Sequence, residues 1–228
     1  MFKDYCMNCD NKNKLAFIHI PRTAGKSVRQ AFNLGWHDKK FNRMGTYACA
    51  HRRASLVWPE NVIDEFDTFS VIRDPWSRLV SLFHYYAGRP DMKGPYDQLK
   101  KYNGNFSDFV FDLKNLQISK SRVGAPKRTD VLPDNFNACR YFICDDNNKV
   151  LIKNLINFKY LNDDLKRFAE KVNIKVSFPL EKHRKDLKPY PKLGLKHKNY
   201  KEYYNDKLVQ EVYDFYKDDV EIFGFTFE

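Results

Sequence analysis

Apolar residues fall in two patterns along this chain, short unbroken runs and stripes at helical spacing. The first unbroken run is Leu15-Ala-Phe-Ile-His-Ile20 and the second is Thr68-Phe-Ser-Val-Ile72. Short runs of this kind predict strands buried on both faces, as in a parallel sheet. Pro21 closes the first run, because it has no N–H to give to a ladder. From Lys26 the spacing turns helical, with Val28, Ala31 and Phe32 on one face. A helix is predicted over Pro59–Phe66, with proline in its first turn and acids near its start. After the second run, Leu79, Val80, Phe83 and Tyr86 predict a helix beginning near Pro75.

Further on, Phe106, Phe109, Val110 and Leu113 recur at helical spacing behind a capping Asn105. Arg140–Cys144, the turn Asp145–Asn148 and Val150–Ile152 predict a β-hairpin. Ile156–Leu161 leads into a helix with Asn162 as its cap, Asp163 and Asp164 complementing its dipole, and Leu165, Phe168, Ala169 and Val172 as its stripe. In the tail, Leu208, Val209, Val212, Tyr213 and Tyr216 share a helix face, and Gly224 is a helix stop. There is no internal repeat, and residues 1–228 are expected to form one domain.

Composition adds a bias toward anions. Hydrophobic residues make up 43% of the 228, enough for a sizeable core. Forty Lys and Arg against 29 Asp and Glu leave a formal charge of +11, which suits a nucleotide, a sulfated glycan or a nucleic acid. Cys6 and Cys9 form a lone C-x-x-C with no further ligands in reach, so no metal site is expected. No run approaches the ~18 apolar residues of a membrane span. The start, Met1-Phe-Lys-Asp-Tyr-Cys6, lacks a signal-peptide core. Together these predict a cytoplasmic protein that does not enter a membrane.

The chemistry concentrates where the first strand meets the first helix, at Pro21-Arg-Thr-Ala-Gly-Lys-Ser27. A strand, a tight turn of small residues and a helix start together present backbone N–H groups and a partial positive charge to a phosphate. Arg22 and Lys26 add full charges, and Thr23 and Ser27 add hydroxyls. One reading is the nucleoside-triphosphate loop G-x-x-x-x-G-K-[ST], of which Gly25-Lys26-Ser27 is the end; Ile20 stands where its first glycine belongs. On that reading the chain is a nucleoside or polynucleotide kinase.

The other reading rests on a resemblance. Phe17-Ile-His-Ile-Pro-Arg-Thr-Ala-Gly-Lys-Ser27 resembles the 5′-phosphosulfate loop of sulfotransferases that use 3′-phosphoadenosine 5′-phosphosulfate (PAPS), in the carbohydrate-type, Golgi-type branch similar to heparan sulfate 2-O enzymes. Arg22 stands where that family usually has Lys, and Lys26 where it usually has Thr. Val71-Ile-Arg-Asp-Pro-Trp-Ser-Arg-Leu-Val-Ser81 resembles the same family's 3′-phosphate motif, and the tail resembles its C-terminal segment. Lys159 stands where the family's usual Glu would be.

The resemblance implies a P-loop-like three-layer α/β/α domain with a central parallel sheet and ligands at the carboxyl ends of the strands. It implies that Arg22, Thr23, Ala24, Gly25, Lys26, Ser27, Arg73 and Ser81 bind PAPS, whose product is adenosine 3′,5′-bisphosphate. The partner it implies is a hydroxyl acceptor, a carbohydrate, with no nucleic acid and no metal. His51, in His51-Arg-Arg-Ala-Ser55, partly matches a family signature and is the candidate base for the acceptor's proton. Arg22 and Lys26 are the candidate stabilisers of charge at the reacting group. His84 is an alternative base, His19 a structural residue of the first strand, Arg78 structural or solvent-facing, and Arg52 and Arg53 candidate cations for an anionic acceptor. A non-catalytic basic binder of sulfated glycan or nucleic acid is the remaining alternative.

Overall fold

Two strands, at Leu15–Ile18 and Asp67–Ile72, form where the two predicted apolar runs lie. A computed structural model describes residues 8–10, 12–34, 51, 53–57, 64–87, 97–118, 131–180 and 198–228. In chain order the strands are β1 (Cys9–Asp10), β2 (Leu15–Ile18), β3 (Asp67–Ile72), β4 (Gln117–Ile118), β5 (Val131–Leu132) and β6 (Asn154–Asn157). The α-helices are α1 (Gly25–Ala31), α2 (Ala54–Val57), α3 (Pro75–Ala87), α4 (Phe106–Asp112), α5 (Cys139–Ile143), α6 (Leu161–Lys171), α7 (Asp206–Phe215) and α8 (Lys217–Phe223). The chain divides into two compact units, Met1–Arg73 with Cys139–Arg184, and Asp74–Ala138 with Lys185–Glu228.

The first unit is built on a four-stranded sheet in the order β1-β2-β3-β6. β2 and β3 run parallel with Ile18 opposite Ser70, β3 and β6 run parallel with Ile72 opposite Asn157, and β1 lies antiparallel to β2 at the edge. This is the mixed α/β class, a mostly parallel central sheet with helices around it, that the pattern predicts. All four residues of β2 are buried, which is why its run is continuous rather than alternating. Leu15, Phe17, Phe69, Val71 and Ile156 meet Val28 and Phe32 of the α1 segment and Leu165, Phe168 and Ala169 of α6 in one core cluster. Phe69 is central to it, with ring centroids 4.9 Å from Phe17, 5.3 Å from Phe32 and 4.5 Å from Phe168. Each such pair adds roughly 0.5–1.5 kcal/mol beyond its buried area.

Two local expectations in this unit are corrected. Arg140–Cys144 is not a hairpin strand: α5 occupies Cys139–Ile143, and only an isolated bridge joins Cys144 to Val150. Cys139, Phe142 and Ile143 are fully buried, and their spacing is that of one helix face. The turn itself forms, with Asp145 Oδ1 accepting the N–H groups of Asn147 at 2.9 Å and Lys149 at 2.8 Å. Asn162 is not the cap of α6. That helix continues out of a 3₁₀ turn at Phe158–Tyr160, whose cap is Asn157. Asn162 lies inside the first turn of α6 and accepts from Leu180 N at 3.0 Å.

The second unit is an aromatic helical assembly. Asp74 accepts the N–H of Ser77 at 2.7 Å and so caps the start of α3, where Pro75 needs no N–H partner. Phe83 of α3 lies with its ring 5.3 Å from both Phe106 and Phe109 of α4. Asn105 caps α4 through the N–H groups of Ser107 and Asp108, as the sequence predicts. Leu208 and Val212 are the buried face of α7, and Tyr216 beyond it donates its hydroxyl to Phe136 O at 2.8 Å. Gly224 ends α8 at φ 64°, a left-handed turn that favours glycine. β4 and β5 form a two-residue parallel pair. Among the described residues no helix is long and apolar enough to cross a membrane.

Most of the helix predicted over Pro59–Phe66 lies outside the described residues; Asp64 and Glu65, within them, are helical. Cys6, most of the Asn33–Ala48 stretch, Gly124–Asp130 and the basic Glu181–His197 stretch also lie outside them.

Candidate active site

The site residues in the first unit gather around the turn that follows β2. Thr23, fully buried, donates its hydroxyl to Ile20 O at 2.8 Å and closes the turn. Arg22 sits at φ 68° and Ala24 at φ 63°. A left-handed non-glycine residue costs roughly 1–2 kcal/mol, so two within three residues mark a backbone held for a reason. Ala24 is also the N-cap of α1, and no side chain caps that helix. The first N–H groups of α1 therefore lack the usual Ser, Asp or Asn acceptor. Backbone of this alternating hand gathers successive N–H groups into a concave anion cradle. Lys26 is exposed and Ser27 half-buried at its rim.

Gly25 is required by close approach rather than by its dihedral angles. A Cβ there would lie 1.9 Å from the His19 ring. His19 is 7% exposed and stacks on Phe17 with ring centroids 5.9 Å apart. The His51 ring also lies beside it, centroids 4.2 Å apart. His51 Nδ1 lies 2.9 Å from His19 O. A carbonyl can only accept, so Nδ1 of His51 carries the proton, and in the neutral ring Nε2 is the basic nitrogen.

Arg73 follows the last residue of β3 and is half-buried. Its Nη1 donates to Arg22 O at 3.0 Å, which ties the second motif to the first. Its guanidinium carbon lies 4.2 Å from the centroid of the Phe158 ring. Arg53 pairs with Asp146 at 2.7 Å and lies 5.1 Å over the Tyr141 ring. Arg52 lies outside the described residues. On α1, burial pushes the Arg29 guanidinium down to about 10, still protonated at neutral pH, and it donates to Asn8 Oδ1 at 3.4 Å.

The structure thus brings Arg22, Thr23, Ala24, Gly25, Lys26, Ser27, Arg73 and His51 to one place in the first unit. Ser81 belongs to the second unit, buried on α3, as is His84, whose Nε2 lies 2.7 Å from the Tyr203 hydroxyl. Arg78 is structural: it is 1% exposed and donates to Asn135 O and Asn137 O, each at 2.9 Å. Two supporting residues escaped sequence reasoning, His19 through its carbonyl and Phe158 through its ring. The signal for the first was Gly25 itself, a small residue facing a bulky one. Among the described residues no group of three or more His, Cys, Asp or Glu side chains could hold a metal ion.

A family model described as "Sulfotransferase family" matches residues 6–226. No curated protein matches the chain, and no solved structure does.

Proposed function

The chain belongs to the sulfotransferase family, and we propose that it moves a sulfuryl group from PAPS to a hydroxyl of a carbohydrate acceptor, releasing adenosine 3′,5′-bisphosphate. The observation that carries this reading is the 3.0 Å bond from Arg73 to Arg22 O, which joins the two phosphate motifs at one turn. The donor set fits a bisphosphorylated nucleotide: two guanidinium groups, one ammonium, the Ser27 hydroxyl and the backbone N–H groups of an uncapped helix start. Arg73 takes the 3′-phosphate, to which the sequence resemblance adds Ser81. The Ile20–Ser27 turn takes the 5′ end.

His51 Nε2 accepts the acceptor's hydroxyl proton as the oxygen attacks sulfur. His51 keeps its orientation because Nδ1–H stays on His19 O. Arg22 and Lys26 stabilise the negative charge that develops on the departing phosphate oxygens. Arg22 cannot serve as a proton donor there, because a guanidinium does not release its proton. Lys26 is the group that can.

The test is a thermal shift with adenosine 3′,5′-bisphosphate beside AMP and Mg-ATP at matched ionic strength. At about 100 times its dissociation constant, a ligand of the native state stabilises by roughly 2.7 kcal/mol, on the order of 5–10 °C for a chain of this size. A shift with the bisphosphate well above that with AMP supports the reading. A shift with Mg-ATP alone returns the chain to the kinase reading, and no shift with any nucleotide leaves a basic binder or a degenerate enzyme.

A further inference from the structure

We infer that Phe158 is a positioning residue for the 3′-phosphate of the donor, acting through Arg73. This rests on the reading of Arg73 given above and names what makes that side chain selective. Arg73 and Phe158 are neighbours by sheet register. Ile72 of β3 faces Asn157 of β6, so the next residue of each strand leaves the same carboxyl edge side by side. Phe158 has a fixed backbone. Asn157 N donates to Asp164 Oδ2 at 2.8 Å, and Asn157 Oδ1 accepts from Lys159 N at 2.9 Å, which holds the 3₁₀ turn that carries Phe158. The Phe158 ring packs against the β-sheet core cluster and is only half-buried, so it is a rigid platform at the rim.

The guanidinium lies over that platform at 4.2 Å. Stacking uses the face of the guanidinium, whereas its N–H donors lie in its plane. The ring lies against the guanidinium while Nη1 donates to Arg22 O, so ring and carbonyl together restrict the side chain. A free arginine loses considerable rotamer freedom when it grips a phosphate; one already held by a ring and a carbonyl loses less. The contribution falls on the 3′-phosphate alone, because Arg73 is the group the ring touches.

The experiment compares affinities of the full chain for adenosine 3′,5′-bisphosphate and AMP by calorimetry, in the wild type, Phe158→Leu and Phe158→Tyr. Leucine keeps apolar packing but has no π face. The Leu variant is expected to bind the bisphosphate roughly three- to tenfold more weakly, with AMP affinity unchanged, and the Tyr variant to bind like the wild type. A Leu variant that keeps the wild-type preference for the bisphosphate, or that loses both nucleotides equally with a large fall in thermal midpoint, overturns the role of Phe158. A wild type with no preference for the bisphosphate overturns the assignment of Arg73 itself, and is distinguished by needing no variant at all.

Discussion

Arg73 and Arg78 stand in one sequence motif, yet their regions treat local structural rules in opposite ways. In the second unit three helix starts are capped by their own side chains. Asp74 caps α3, Asn105 caps α4 and Asn205 caps α7. Trp76 Nε1 donates to Val209 O at 3.0 Å, and Tyr204 donates to Trp76 O at 2.9 Å. Arg78, buried, gives its two terminal nitrogens to backbone carbonyls. Around the turn of the first unit the rules are broken. An alanine takes the N-cap, two non-glycine residues are left-handed, and Arg73 rests half-buried on a ring. Two left-handed non-glycine residues and an uncapped helix start meet in this one turn, which is what the proposed binding of a phosphate there would use. What separates the two arginines is where their donors go, which neither identity nor spacing in the motif reveals.

The comparison breaks most visibly at His51 and Arg78, which should fail in different currencies. His51→Ala is expected to lower turnover by about 10²–10⁴, or roughly 3–5 kcal/mol of barrier, with the affinity for adenosine 3′,5′-bisphosphate retained. Release of the bisphosphate from PAPS in the presence of acceptor measures it; a near-normal rate removes His51 as the base. Arg78→Ala is expected to cost about 3 kcal/mol of stability or more, since two charge-assisted bonds to backbone carbonyls are lost. In a thermal melt that is on the order of 6–12 °C. A midpoint within about 2 °C of the wild type would show that Arg78 is not holding the Asn135–Asn137 segment.

Arg73→Ala is the mirror of Arg78→Ala, one motif position against another. Affinity for adenosine 3′,5′-bisphosphate should fall about tenfold or more, which corresponds to at least ~1.4 kcal/mol. The melt without ligand should move little, because the side chain is half-buried and its bond to Arg22 O is to the turn. A large loss of stability with unchanged affinity would place Arg73 in the structural class and dissolve the contrast.

The sequence made the contiguous features legible and hid those built across the chain. The runs at Leu15–Ile20 and Thr68–Ile72 read as strands, and β2 and β3 lie within or over them. The starts of α1, α3 and α4 lie at or beside Lys26, Pro75 and Asn105, where chain chemistry is local. The hairpin at Arg140–Cys144 failed because five apolar-rich residues fit a strand or one helix face equally, and Cys139 just before them completes the helix face. Asn162 was misread as a cap because the 3₁₀ turn at Phe158–Tyr160 starts the helical path earlier. At the site, the Arg22–Ser27 segment was visible as a whole. The bonds that organise it, from Arg73 to Arg22 and from His51 to His19, span 51 and 32 residues and depend on strand register. Phe158 is hidden for the same reason, since only the β3–β6 pairing brings it to Arg73.

Asp112 gives the smallest and most specific contrast, a charged group that serves folding alone. Burial by itself would raise its carboxyl, but hydrogen bonds from Lys101, Tyr102 and Asn115 outweigh that and hold it at about 2, below its ordinary 3.8. The same arrangement, through burial first and the Asp112 bond second, pushes the Tyr102 hydroxyl well above its ordinary range and keeps it neutral. Because the folded carboxyl is the stronger acid, its contribution to stability is complete above the unfolded value near 4 and disappears as the pH falls toward 2. Lys101 is 42% exposed on its side of the pair, so the ion pair itself adds little. Asp112→Ala should therefore cost about 1 kcal/mol near neutral pH, a fall of roughly 2–4 °C in the melt. The gap between variant and wild type should narrow below pH 4 and close near pH 2. Turnover at neutral pH should stay within about twofold of the wild type, since nothing in the second unit's Lys101–Asn115 network takes part in the proposed chemistry. A gap that persists unchanged to pH 2 would mean that Asp112 acts by packing, and a large loss of turnover would show that the division between a strained, ligand-directed region and a self-satisfied one is drawn in the wrong place.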